Sequence, residues 1–187
     1  MSKNTQRPRT LATEKTDELG VRSLILLAVL LAAGFILNFT VGKAISSISG
    51  GMISPEFIIS AFCLTILIVK PRVHHAFIFG LISAAVIQIT TTSPFIDFAA
   101  EGIAAVLMAV LVHAGNKLPH TKLLPFVSTF ITTTVSGLIF MAIKIVMIGA
   151  VSQLIAAMTP VILLTAVFNA LLVQSLYKPV VDALRIG

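Results

Sequence analysis

Residues 123–148 read LLPFVSTFITTTVSGLIFMAIKIVMI, and Lys144 is the only charged side chain among them. About 20 consecutive apolar residues are enough to cross the roughly 30 Å hydrocarbon core of a bilayer as a helix. The whole chain of 187 residues is 57% hydrophobic and 11% charged, with a mean hydropathy of +1.06. Soluble globular proteins carry about 25% charged residues. The sequence therefore predicts an all-α integral membrane protein.

Five further apolar runs bring the predicted number of transmembrane helices to six, arranged as a compact bundle. The predicted spans cover residues 22–41, 55–69, 76–90, 102–114, 123–148 and 153–177. Residues 1–21 form a polar N-terminal tail, and residues 22–187 form one membrane domain with no room for a nucleotide-hydrolysing domain. Spans two, three and four are short, so we expect some of them to tilt or to draw on flanking residues.

Lysine and arginine are distributed unevenly between the two ends of the predicted bundle. All 13 basic residues except Lys43 and Lys144 fall in or beside the N-terminal tail, the turns at 70–75 and 113–122, or the C-terminal segment. Cytoplasmic loops of membrane proteins carry the excess of Lys and Arg. Both termini are therefore predicted to be cytoplasmic. We interpret the formal charge of +6 as basic residues that set the orientation of the chain in the lipid bilayer, and we expect no nucleic-acid partner.

Polar residues gather at the opposite, outer end of the bundle, which suggests a pocket open to the outside. Asn38 lies near the end of the first span and Gln88 near the end of the third. Three of the seven acidic residues, Glu56, Asp97 and Glu101, lie at the same end. A structural role is the alternative for each of them, because a carboxylate near a helix N-terminus is stabilised by the helix dipole. We expect at least one of the three to contact substrate.

Lys144 lies about one turn before the outer end of the fifth span. Ionisable groups within a span are costly and are therefore candidates for function. The long stem of Lys144 allows its ammonium group to reach the membrane surface. The same side chain would also fit an inward position, where it would meet a ligand anion or an outer carboxylate. The sequence leaves both positions open.

The segment ITTTSPFIDFAAEG, residues 89–102, separates two apolar runs. Pro94 stops the preceding helix, and Thr92 and Phe95 place a hydroxyl group and an aromatic face beside the break. Within the hydrocarbon core of a bilayer, non-helical backbone is tolerated only where it packs against protein or lines a water-filled cavity. A plain turn is the alternative, but the composition favours a binding element.

The sequence contains no pattern typical of catalysis or of a metal site. It lacks the phosphate-binding loop of nucleotide hydrolases, the H-E-x-x-H of zinc proteases and the G-x-S-x-G of acyl-transfer enzymes. Its four histidines fall on the predicted inner side, where solvated loop positions explain them. The single cysteine, Cys63, lies in an apolar run and is interpreted as a small buried hydrophobic residue. We expect no enzymatic activity, no metal and no cofactor.

Ala28 and Ala32 lie four positions apart in the first span, SLILLAVLLAAG, and small residues at this spacing allow another helix to approach closely. Packing within the same bundle would explain the spacing equally well. A small six-span protein with this face and a polar outer end resembles the substrate-binding S components of energy-coupling factor (ECF) transporters. The resemblance implies that Ala28 and Ala32 dock onto a transmembrane coupling protein, which works with two ATPase subunits. It also implies a ligand near the outer side, under the loop of residues 41–54.

A finer likeness lies in IVKPRVHHAFIFGLISAAVIQITTTSP, residues 68–94. This segment is similar to the membrane protein family linked to tryptophan uptake, in which a PR turn, a glycine-containing helix and a threonine run before proline follow in this order. That family continues with a glycine-rich segment, whereas this chain reads FIDFAAEG. The resemblances imply a bacterial plasma-membrane importer subunit for pyridoxine, pantothenate, niacin or tryptophan. The alternative is a stand-alone secondary transporter in which Glu56, Asp97 or Glu101 carries a proton.

Overall fold

The computed structural model describes residues 20–91, 93–115 and 121–184. These residues are largely helical and contain no strand, which confirms the predicted all-α class. Helix α1 spans Val21–Leu37 and runs through a π-helical turn, Asn38–Gly42, into the short helix α2, Lys43–Ile48. The remaining helices are α3 (Phe57–Val69), α4 (Val73–Ile87), α5 (Ile96–Gly115), α6 (Leu124–Ile148) and α7 (Val151–Ala183), and a 3-10 turn at Thr121–Leu123 precedes α6.

Four helical segments are long and apolar enough to cross a membrane: the continuous rod Val21–Ile48, α5, α6 and α7. Helix α3 has 13 residues and α4 has 15. At about 1.5 Å per residue, these two helices measure roughly 20 and 22 Å, which is less than the roughly 30 Å hydrocarbon core. The lengths fit a multi-pass membrane protein, while the count of six spans and the cytoplasmic termini stay predictions.

Two of the differences between the helix boundaries and the predicted spans lie at the end of the bundle that is predicted to face outward. The first rod continues past residue 41, because Gly42 packs beside Phe57 and the backbone passes through the π-helical turn instead of ending. Helix α5 begins at residue 96 rather than 102, with Asp97 in its first turn, where the helix dipole favours a carboxylate. Gly50 and Gly51 form the turn after the rod, with φ angles of 62° and 81° that glycine adopts without steric cost.

Helix α3 lies at the centre of the bundle. Every residue from Phe57 to Ile68 is buried, and the helix packs against α1, α5 and α7. A helix that is hydrophobic all round is suited to such a position. Cys63 has no exposed surface, as predicted, and the Thr65 hydroxyl donates to the carbonyl oxygen of Ala61 at 2.9 Å. The shortest apolar helix thus forms the core around which the longer helices pack.

Helix α6 places polar residues inside the bundle and apolar residues outside it. Apart from Pro125, its buried residues all carry hydroxyl groups: Ser128, Thr129, Thr132, Thr133 and Ser136. Exposed positions on the same helix are apolar, for example Val127, Leu138 and Val146. This distribution is typical of a membrane helix, in which small polar residues face neighbouring helices and apolar residues face lipid.

Two glycines allow helices to approach each other beside these polar residues. A Cβ atom at Gly80 of α4 would overlap the backbone oxygen of Glu101 in α5 and lie 2.8 Å from the Cβ atom of Ala105. At Gly137 of α6, a Cβ atom would lie 2.9 Å from both Cγ atoms of Ile162, which branch directly from that residue's Cβ atom and are stiff. A Cβ atom at either position would therefore force a shift, and at Gly80 the shift must include backbone.

We therefore expect Gly80→Ala to lower the free energy of unfolding by about 1–3 kcal/mol, the usual cost of overpacking a core. Gly42→Ala is the control and is expected to cost less than about 1 kcal/mol, because a Cβ atom there would lie 3.5 Å from its nearest neighbours and alanine has the higher helix propensity. Thermal unfolding of both purified variants in the same detergent measures the difference. A Gly80→Ala variant as stable as the parent would contradict this account of α4–α5 packing.

Candidate functional site

A cavity of about 450 Å³ lies at one end of the bundle. Its wall is built from the end of α1, the start of α3, the end of α4, the start of α5 and inner positions of α6 and α7. In the predicted topology these chain positions all fall toward the outer side of the membrane. The structure thus brings the predicted polar end together around one half-open cavity.

Three carboxylates line this cavity, and Glu101 is the most deeply buried of them at 3% exposure. The Ser136 hydroxyl on α6 donates to Glu101 Oε1 at 2.9 Å. Glu101 Oε2 is buried and has no hydrogen-bond partner within the described part of the chain. A carboxylate oxygen removed from water without a donor is costly, so this oxygen marks a place for a further donor.

Asp97 is the second carboxylate and is also buried. The side-chain amide of Gln88, at the end of α4, donates from Nε2 to Asp97 Oδ2 at 3.3 Å. The Oε1 atom of Gln88 accepts the backbone N–H of Phe95 at 3.1 Å. Gln88 therefore fixes the turn between α4 and α5 and orients Asp97, without being part of the cavity wall itself.

Glu56, the third carboxylate, immediately precedes α3 and is half-buried. No side chain of its own segment caps this helix start. Instead, Asn38 Oδ1 accepts the backbone N–H of Phe57 at 3.2 Å and Asn169 Oδ1 accepts that of Glu56 at 3.2 Å. Thr165 Oγ1 accepts the N–H of Ser54 at 3.2 Å and donates to its carbonyl oxygen at 3.1 Å. Side chains from α1 and α7 thus satisfy the free backbone groups before α3.

The remaining candidate residues occupy different places. Lys144 does not line the cavity, and its Nζ atom lies 5.4 Å from the ring centroid of Phe140, which does. Phe95 is 77% exposed and its ring lies 6.5 Å from that of Phe98, outside the cavity wall. Thr92 lies outside the described residues. Thr90 and Thr91, from the same polar segment, do line the cavity.

Several residues of the site were not among the predicted ones. Thr133 and Ser136 on α6 and Thr165 on α7 line the cavity, and Asn169 on α7 holds the residue before α3 without being part of the wall. Asn169 could have been identified from the sequence, because an amide inside an apolar helix is costly unless it has a partner. The hydroxyl residues of α6 could not, since threonine and serine are common on helix surfaces that pack together.

Ala28 and Ala32 are both exposed on α1. The face of α1 that turns inward consists instead of Ser23, Leu27, Leu31 and Gly34. Gly34 lies where a Cβ atom would approach the backbone oxygen of Phe57 to 2.9 Å. The spacing of Ala28 and Ala32 is therefore not explained by packing among the described helices.

Comparisons with protein-family models, curated proteins and solved structures returned no match. Function is therefore inferred from the cavity and the residues around it. Among residues 20–91, 93–115 and 121–184, no three His, Cys, Asp or Glu side chains lie close enough together to hold a metal ion. The wall offers hydrogen-bonding groups and apolar surface, which suits binding of a small organic molecule.

We expect Asn169→Ala to lower the free energy of unfolding by about 1–3 kcal/mol, because the buried N–H of Glu56 would lose its acceptor. Ser175→Ala is the matched control on the same helix, since Ser175 is exposed and its hydroxyl bonds back to Leu171. Its effect should stay within about 0.5 kcal/mol. Thermal unfolding in detergent compares the two variants, and equal stabilities would show that Asn169 does not hold the start of α3.

Proposed function

We propose that this chain is the substrate-binding S component of an ECF-type importer, which captures a small water-soluble micronutrient on the outer side of the bacterial plasma membrane. The observation that supports this most directly is the 450 Å³ cavity, whose wall leaves a buried carboxylate oxygen without a partner among the described residues. Small-molecule sites commonly occupy about 300–1,000 Å³ and combine apolar walls with a few placed polar groups.

The proposed ligand contacts come from residues of the cavity wall. Glu56, Asp97 and Glu101 would meet polar groups of the ligand, and Asn38 would lie beside them while holding the start of α3. Gln88 would act indirectly by orienting Asp97. Pyridoxine, pantothenate, niacin and tryptophan are the initial candidates for the nutrient.

ATP-driven import would require partners, because the chain carries no sequence motif for ATP hydrolysis. We assign the energy source to two ATPase subunits, joined to this chain through a transmembrane coupling protein. The exposed face of Ala28 and Ala32 is the proposed docking surface for that protein. Small residues let two helix backbones approach closely inside a bilayer.

A second candidate, a stand-alone proton-coupled transporter, is favoured by one specific observation. Glu101 is a buried carboxylate within α5 and faces the cavity, and such groups mark proton pathways in membrane proteins. Uptake into proteoliposomes distinguishes the two functions. A secondary transporter would work alone and respond to a pH gradient, whereas an S component would need the coupling protein, the ATPases and ATP.

Ligand binding is tested first by a thermal-shift screen of the purified chain with tryptophan, pyridoxine, pantothenate and niacin. At about 100 times its Kd, a ligand that binds only the folded state stabilises it by about 2.7 kcal/mol. We expect Glu101→Gln to raise the Kd of the strongest hit at least about tenfold, the loss typical of a hydrogen bond to a charged group. Lys144→Ala should leave the Kd unchanged. Unchanged affinity in both Glu101→Gln and Glu56→Gln would contradict the proposed site.

The docking surface is tested with the double variant Ala28→Leu, Ala32→Leu. Larger side chains on this face should keep the coupling protein at a distance, so co-purification with the coupling module should be lost while ligand binding is retained. Ala142→Leu is the control, because Ala142 is exposed on a different helix, α6. Co-purification of the double variant at the parental level would exclude this face as the docking surface.

A further inference from the structure

Acidic side chains are concentrated at the cavity. Of the four acidic residues that the structure describes, Glu56, Asp97 and Glu101 line it, and only Asp182 lies at the other end of the bundle. No lysine or arginine of the described ranges lines the cavity. The two basic residues nearest this end of the bundle lie over aromatic rings instead, Lys43 at 3.8 Å from the Phe39 centroid and Lys144 at 5.4 Å from that of Phe140.

A second observation, independent of the charge, points to a ligand at this place. Glu101 Oε2 and Thr133 Oγ1 belong to side chains that are each 3% exposed, and both atoms lack a hydrogen-bond partner among the described residues. Both residues line the cavity. An ionised carboxylate only accepts hydrogen bonds, whereas a hydroxyl both donates and accepts. When Glu101 is ionised, the group that completes this part of the wall is a donor toward it.

Helix N-termini at the cavity do not offer a binding place for an anion. The backbone N–H groups of Glu56 and Phe57 at the start of α3 are already bonded to Asn169 and Asn38. The first turn of α5 already contains Asp97. The dipole of each helix start is thus matched by a carboxylate of the chain itself, and a ligand carboxylate would meet like charges with no described cation to bind it.

The carboxylates are also arranged for an organic cation rather than a metal ion. They do not belong to any group of three possible ligands close enough to hold a metal within the described ranges. An ammonium group carries three donors, which can reach separate acceptors. The rest of the wall includes Ile59, Ile87, Phe140, Met158 and Ile162, which would pack against an apolar body.

We infer that the cavity binds a small organic cation, an apolar ring that carries a primary or secondary ammonium group and no carboxylate, with Glu101 as the main acceptor. This inference rests on the proposed function, in that the cavity is taken to be the nutrient site. It excludes all four initial candidates, because pantothenate and niacin are anions, tryptophan carries a carboxylate beside its ammonium group, and pyridoxine has no alkyl ammonium group.

Two series of ligands test whether binding requires a positive charge. Within each series the ring stays the same and the charged group changes. Tryptamine, tryptophan and indole-3-propionate form one series, and pyridoxamine, pyridoxine and 4-pyridoxate form the other. Affinities are measured by calorimetry on the purified full chain at neutral pH with a chelator present, since alkyl ammonium groups titrate near about pH 10. We expect at least one amine to bind at least about tenfold more tightly than the other two members of its series. Glu101→Gln should remove most of that difference, and an unchanged melting temperature of the unliganded variant shows that it is folded.

Three results would overturn the inference: an acid or zwitterion that binds as tightly as its amine, no binding of either amine, or stabilisation by Mg²⁺ or Ca²⁺ alone. Uptake assays separate this inference from the proposed function. ATP-dependent import of an acid or zwitterion would support the proposed importer function and exclude the proposed specificity for a cation. Amine binding combined with ATP-independent uptake would support the specificity for a cation and exclude the importer function.

Discussion

The structure depends on how the backbone is satisfied at the start of α3. This helix is only 13 residues long and begins inside the bundle, where no side chain of its own segment caps its first N–H groups. Unpaired backbone groups in an apolar environment are costly. Asn38 from α1, with Thr165 and Asn169 from α7, supplies the missing partners. These bonds tie the first and last long helices to the central one and leave a space above α3, which is the cavity.

The interior face of α6 carries five buried hydroxyl groups, and one of them, that of Ser136, donates to Glu101 on α5. Gly80 brings α4 close to the backbone of Glu101 from the other side. Glu101 is therefore held between two helices that approach closely for different reasons. A carboxylate in this position is fixed in place before any ligand arrives, which lowers the entropy cost of binding.

Much of this arrangement could be predicted from the sequence. Long apolar runs gave the all-α class, and the uneven distribution of charge indicated a polar end that contained Asn38, Glu56, Asp97 and Glu101, all of which line the cavity. The position of Lys144 could not be predicted, because a change of one or two residues in helix rotation moves a side chain from the interior to the surface. The partners of Glu56 and Phe57 could not be predicted either. Asn169 is more than a hundred positions away along the chain, and only tertiary packing brings it to the start of α3.

The positions of the basic residues and of the acidic residues at the cavity have a common explanation in this arrangement. Basic residues such as Arg22, Lys70 and Lys122 lie at the end of the bundle away from the cavity. This position agrees with the excess of Lys and Arg in the cytoplasmic loops of membrane proteins. With all three carboxylates ionised, charges that are separated in this way would give the cavity end a negative potential, although the formal charge of the chain is +6. Low-dielectric walls focus such a field. A cation that diffuses near the outer surface would be drawn toward the carboxylates, and an anion of the same size would be repelled. The topology signal and the selectivity of the site would therefore both arise from one separation of charge along the bundle.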